Sequence, residues 1–157
     1  MNAFYEEILN ERGQFDKLWE ENVRILCSTA GTAGRADRKF FNQLWEGWAF
    51  AMILGIKNNR HLPLEGKKNQ WGELAIIKNR NEETFKGLVL LALSTVDSLE
   101  EYIDEPKRLV QVMNEYAKGG AEIIQEIRAT PGQENYFNNE IDYIKELLAR
   151  KNPKLNH

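Results

Sequence analysis

Lys57, Arg60, His61, Lys67 and Lys68 crowd one twelve-residue stretch in which Glu65 is the sole acid, and Trp71 lies just beyond it. Ammonium and guanidinium groups on one turn suit phosphate oxygens. Asn58, Asn59 and Asn69 add adaptable donors, and an indole such as that of Trp71 can stack on a base. The turn could therefore contact DNA, RNA or an acidic protein surface. It also fits a solvated connection, because the C-terminus of the apolar helix before it favours cations through its dipole. The residues leave both readings open. Arg35, Arg38 and Lys39 form a second basic group at the start of that helix, where positive charge opposes the dipole and so argues for another purpose.

Catalytic constellations are thin. The acids mostly occur as neighbours, such as Glu6-Glu7, Glu20-Glu21, Glu82-Glu83 and Glu100-Glu101. Adjacent residues on a helix do not face each other, so these pairs make no carboxylate dyad. A small hydrolase would need His61, the one internal histidine, beside Glu46 or Glu65. Cys27 is the single cysteine, which excludes an intrachain disulfide and a thiolate zinc site, and it reads as buried. Gly31-Thr32-Ala33-Gly34 lacks the Lys-Ser/Thr of a phosphate loop. The expectation is a binding protein with no catalytic residues, no metal and no cofactor.

Composition bounds the rest. A chain of 157 residues, 42% hydrophobic and 29% charged, suits one soluble domain spanning 1–157, with 152–157 as a flexible tail. Its net charge of -3 rules out whole-molecule attraction to nucleic acid but leaves a local basic patch open. The N-terminus has neither the basic nor the apolar region of a secretory signal. The most apolar runs, Trp48–Ile56 and Gly87–Leu93, fall well short of the roughly 20 residues that span a bilayer. A cytoplasmic protein without membrane contact is expected.

The elements that must position the basic turn are helical. Residues 2–11 place Phe4, Ile8 and Leu9 on one side of a short helix, and Phe15, Leu18, Trp19, Val23 and Leu26 continue the period in a second. After the small-residue stretch 28–34, a long central helix is predicted from about Asp37 through Phe40, Phe41, Leu44, Trp45, Trp48, Met52 and Gly55. Its aromatics read as core, with Trp45 and Phe50 offset enough to meet a partner. Pro63 and Gly66 make 57–80 irregular, and Leu74–Ile77 reads as a strand or as core filling. Asn81 followed by Glu82 and Glu83 predicts an N-cap, and Pro106 suits a first helical turn. Gly119-Gly120 looks like a weak point inside the helix that Thr130-Pro131-Gly132 ends. A last helix is predicted from about Asn135 to Arg150, with Ile141, Ile144 and Leu148 inward. The fold class is all-α, a compact bundle of five to six helices with an irregular basic connection at 57–80.

Two stretches carry a family likeness. Phe50–Leu64 joins an apolar helix ending in Leu54-Gly55-Ile56-Lys57 to a basic turn and Pro63-Leu64. Leu88–Leu93, Leu99–Ile103 and Val112–Ala121 follow with an acidic turn and a Glu115-Tyr116-Ala117-Lys118-Gly119-Gly120 end. Over roughly residues 40–127 the chain resembles small bacterial Dnd-associated proteins, encoded beside DNA phosphorothioation and restriction genes. Gly55, Lys57, Arg60, Pro63 and Leu64 are the pattern positions, and His61 stands where the pattern more often has another basic residue. The resemblance implies an accessory role in defence against foreign DNA. The expectation is a non-catalytic subunit that binds a larger protein of such a system, with DNA or RNA as a further candidate ligand at the turn. A protein adaptor or homo-oligomer without nucleic-acid contact is the alternative.

Overall fold

The computed structural model describes residues 3–28 and 40–133. Its elements in chain order are α1 (Ala3–Asn10), β1 (Arg12–Phe15), α2 (Lys17–Asn22), a 3-10 turn (Arg24–Leu26), α3 (Leu44–Lys57), β2 (Asn69–Glu73), α4 (Ala75–Arg80), α5 (Glu82–Leu93), α6 (Leu99–Asp104) and α7 (Pro106–Ala129). The fold is predominantly helical, as the periodicity predicts, with seven α-helices among the described residues and one antiparallel strand pair that it does not predict. The predicted helix at 135–150 lies outside the described residues.

The centre is α3 against α7. Both helices carry glycine where they cross: a Cβ on Gly120 would lie 1.8 Å from the Ala51 carbonyl oxygen, and one on Gly55 would lie 2.1 Å from that of Tyr116. The pairings 51 with 120 and 55 with 116 run in opposite directions, so the helices are antiparallel. Gly119-Gly120 is thus a contact surface within an unbroken 24-residue helix, the reverse of a weak point. Trp19, Trp48, Phe85, Met52, Met113 and Ile123 fill the space around the crossing, each less than 2% exposed. Burying a large apolar side chain contributes about 1.5–3 kcal/mol, so this cluster outweighs the glycines' low helix propensity.

Three local predictions give way to tertiary pairing. The helix expected through Phe15 starts at Lys17, because Arg12–Phe15 pairs with Asn69–Glu73 and Asp16 caps α2, its Oδ1 accepting from the Leu18 amide at 3.2 Å. The helix expected from Asp37 begins at Leu44. Phe41 is drawn out of it into a parallel bridge with Cys27, its amide donating to the Leu26 carbonyl at 2.9 Å. The apolar run Leu74–Ile77 enters α4, with Leu74 and Ile77 buried, and the strand falls on the preceding polar residues.

Elsewhere local chemistry decides. The Asn81 side chain accepts from the Thr84 amide at 2.9 Å with Glu82 and Glu83 in the first turn of α5, and Pro106 opens α7. Gly87 in the middle of α5 has open space around its Cβ position. Gly87→Ala is therefore expected to stabilise the protein by about 0.5–1 kcal/mol through helix propensity alone, read as a raised midpoint in thermal unfolding.

Candidate functional site

The basic turn is a strap laid across α7. It begins where α3 ends in a Schellman motif: Asn59 adopts φ 50°, the Arg60 amide donates to the Gly55 carbonyl at 2.8 Å, and the Asn59 amide donates to that of Ile56 at 3.1 Å. Asparagine tolerates this left-handed conformation, so Asn59 is there as a helix stop. Asn58 also turns inward, its Nδ2 donating to the Leu54 carbonyl at 2.8 Å. Both asparagines thus help to end α3.

Two of the strap's basic groups meet carboxylates of α7. One Arg60 nitrogen, Nη1, lies 3.2 Å from Glu122 and 2.7 Å from Glu126. His61 Nε2 is 3.4 Å from Glu115, and its ring lies against Tyr116 with centroids 4.7 Å apart. The Leu62 amide donates to the Glu115 carbonyl at 3.3 Å. Two of the five basic-turn side chains are therefore engaged within the fold. Lys57, Lys67 and Lys68 are exposed, and none has a carboxylate within 4.0 Å among the described residues. Lys57 ends α3, where its charge complements the dipole.

Under the strap sits a lysine that the periodicity of α7 does not single out. Lys118 is 8% exposed, and its Nζ lies 2.9 Å from Asp16 Oδ2 and donates to the Pro63 carbonyl at 2.8 Å. Asp16 Oδ2 also accepts from the Glu65 amide at 3.1 Å. One buried carboxylate thus caps α2, neutralises Lys118 and fixes the turn at 63–65. A second missed residue, Asn114, lies one turn before Lys118. Its Oδ1 accepts from the Gln14 amide at 2.9 Å and from Trp48 Nε1 at 3.1 Å, tying β1 and α3 to α7. The available signal is a polar pair at i, i+4 beside an apolar helix face, but their partners lie more than fifty residues away along the chain.

Trp71 is half-buried, with its Nε1 enclosed. It is the extra residue of a β-bulge, since Gly13 pairs with Gly72 and Gln14 with Gln70. Its ring packs on Trp48 with centroids 5.3 Å apart, and a Cβ on Gly13 would sit 1.9 Å from its Nε1. The indole fills the place a side chain at position 13 would take. Trp45 and Phe50 are half-buried, Trp45 Nε1 donating to Gln43 at 2.8 Å and Phe50 lying 5.1 Å from the Phe41 ring. Arg35, Arg38 and Lys39 lie outside the described residues.

The hydrolase arrangement does not assemble. His61 meets Glu115, Glu65 leans towards Lys118 at 3.9 Å, and Glu46 sits in the first turn of α3 near Cys27. Burial, followed by the negative charge of Glu46, pushes the Cys27 thiol up to about 12, which keeps it protonated and a poor nucleophile at neutral pH. Among the described residues no helix is long and apolar enough to cross a membrane.

The profile of the family described as DNA sulphur modification system-associated protein 4 matches residues 23–154, most of the chain. The chain belongs to this family. No curated protein and no solved structure matches the chain. The family match takes in α3, the strap and α7, together with the two stretches that resemble Dnd-associated proteins. In this member of the sulphur modification system-associated family, Lys118 falls inside the matched region and its partner Asp16 before it.

Proposed function

We propose that this protein is a non-catalytic accessory component of a DNA sulphur modification system, serving defence against foreign DNA by docking on a larger DNA-handling protein through α6. Membership of the family supports the system, and α6 supports the mode of action. None of its six residues is buried. Leu99 and Ile103, four residues apart on one helix face, are 52% and 53% exposed. Asp97, Glu100 and Asp104 flank them and have no cation within 4.0 Å among the described residues, while Glu101 and Glu105 pair with Arg108. An apolar pair with an acidic rim repels phosphates and complements an apolar groove edged by lysine and arginine. Proteins that grip DNA carry such basic surfaces.

The second reading, nucleic-acid contact at the strap, rests on the exposed Lys57, Lys67 and Lys68. One experiment separates the two. The full-length protein is co-expressed with the modification proteins of its own system, and complexes are isolated with and without nuclease. With docking through α6, the complex survives nuclease, tolerates a Lys57→Glu, Lys67→Glu, Lys68→Glu triple variant, and weakens at least about tenfold with Leu99→Glu, Ile103→Glu. A nuclease-sensitive complex lost in the lysine variant, and kept in the α6 variant, would replace docking by nucleic-acid binding.

A further inference from the structure

Beside the strap, a cleft of about 440 Å³ opens between the end of α1, β1, residues 63–70 and the first half of α7. That size lies within the roughly 300–1,000 Å³ of small-molecule sites. At its floor is Asn114, 5% exposed. Both N–H groups that its Oδ1 accepts orient the carboxamide and leave Nδ2 as its unengaged donor. That Nδ2 donates to no group among the described residues, yet it is not sealed away as a buried orphan. An unengaged donor on a nearly buried residue that lines an open cleft is a ligand contact in waiting.

The walls add the rest of a recognition surface. Gln14, Gln70 and Gln111 bring further carboxamides, each able to donate and accept. Pro63, Leu64 and Val110 form an apolar side. Lys68, at the rim, has no carboxylate within 4.0 Å among the described residues, and Arg12 stands nearby, held by Gln70 at 3.0 Å and Glu73 at 3.9 Å. The carboxylates Glu11 and Glu115 also line the cleft, the first 3.7 Å from Lys107 and the second facing His61. Carboxamides and a carboxylate match the mixed donor and acceptor edge of a nucleobase, an apolar wall matches its face, and rim cations match a phosphate.

We propose that this cleft binds a nucleoside monophosphate unit, its base edge on Asn114 and its phosphate towards Lys68 and Arg12. The unit is either a free nucleotide or the 5′-terminal nucleotide of a single strand. The proposal uses no residue of α6 and stands whether or not the docking reading does.

The test is a calorimetric and amide-NMR titration of the full chain with the four nucleoside monophosphates, a 5′-phosphorylated oligonucleotide and inorganic phosphate. Saturable binding of at least one monophosphate is expected, with the Gln14, Leu64, Gln70 and Gln111 amides shifting. Lys68→Glu, a surface change that leaves the fold intact, is expected to weaken it about tenfold. Asn114→Asp keeps the acceptor for Gln14 and Trp48 but removes the donor, with a similar loss. Tighter binding of the oligonucleotide assigns a strand end, and equal binding assigns the free nucleotide. No saturable binding at millimolar ligand, inorganic phosphate binding as tightly as any nucleotide, or affinity unchanged in Lys68→Glu would each overturn the proposal.

Discussion

Lys118→Met is expected to destabilise the protein by about 3–5 kcal/mol, measured by chemical denaturation at neutral pH. The figure follows from what the substitution strands. Asp16 is 2% exposed and Lys118 is its cation at 2.9 Å, so removing the ammonium leaves a buried carboxylate without a countercharge. Removing one partner of a buried pair is costly for that reason, whereas losing an exposed pair costs about 0–1 kcal/mol. Lys17 with Glu21, both more than half exposed, supplies the contrast: Lys17→Met should change stability by less than about 1 kcal/mol. The loss at Lys118 has a local signature as well. Its Nζ also holds the Pro63 carbonyl, so the strap should loosen, and hydrogen exchange at the Leu62 and Glu65 amides should accelerate beyond the change in global stability. Adding Asp16→Asn should recover part of the loss, because the stranded charge is removed while the new carboxamide oxygen can still accept from the Leu18 amide. An unchanged midpoint in Lys118→Met would show that Asp16 finds water or another cation.

Gly120→Ala is the second large effect. Alanine in a helix interior ordinarily gains about 0.8–1.0 kcal/mol over glycine. Here the new methyl would lie 1.8 Å from the Ala51 carbonyl oxygen, and a backbone atom within a packed helix cannot swing aside as a side chain can. Forced overpacking costs about 1–3 kcal/mol and more where backbone must move, so the net sign is destabilising. Gly119→Ala meets the Arg60 carbonyl oxygen instead, also at 1.8 Å. It should push on the strap, where the chain is not helical, with a smaller global cost than Gly120→Ala. The two adjacent substitutions would thus divide the α3–α7 crossing from the strap seated on it. A stabilised Gly120→Ala protein would mean that the helices are farther apart than the described structure has them.

Residues 119–120 also illustrate why the chain is only partly legible. A glycine pair inside a helix reads as weakness when only propensity is weighed, because its benefit lies on α3 and on the strap, both distant along the chain. Features written in neighbouring residues are visible along the chain: the Asn81 cap, the Pro106 start, the apolar period of α3 and α7, the buried Cys27. The strand pair is not, since Arg12–Phe15 and Asn69–Glu73 are short, polar and distant, and become strands only by meeting. The basic turn is legible as a cluster of charge, but its partners are not. Glu115, Glu122 and Glu126 look like ordinary solvent-facing acids of α7 until the strap is laid over them.

The division is physical. Residue type and spacing alone determined the helical class, the family likeness, the single buried thiol and the segregation of positive charge at 57–68 within a chain of net charge -3. Helix periods, caps and composition act over a few residues, so they can be read along the chain. Which of those charges remain available was decided only by tertiary structure. Arg60 and His61 are taken up by α7, Trp71 is folded onto Trp48, and the buried Lys118 and Asn114 come forward as the residues on which the strap and the cleft are built. Pair energies depend on distance and burial, and both are set by which helices happen to cross.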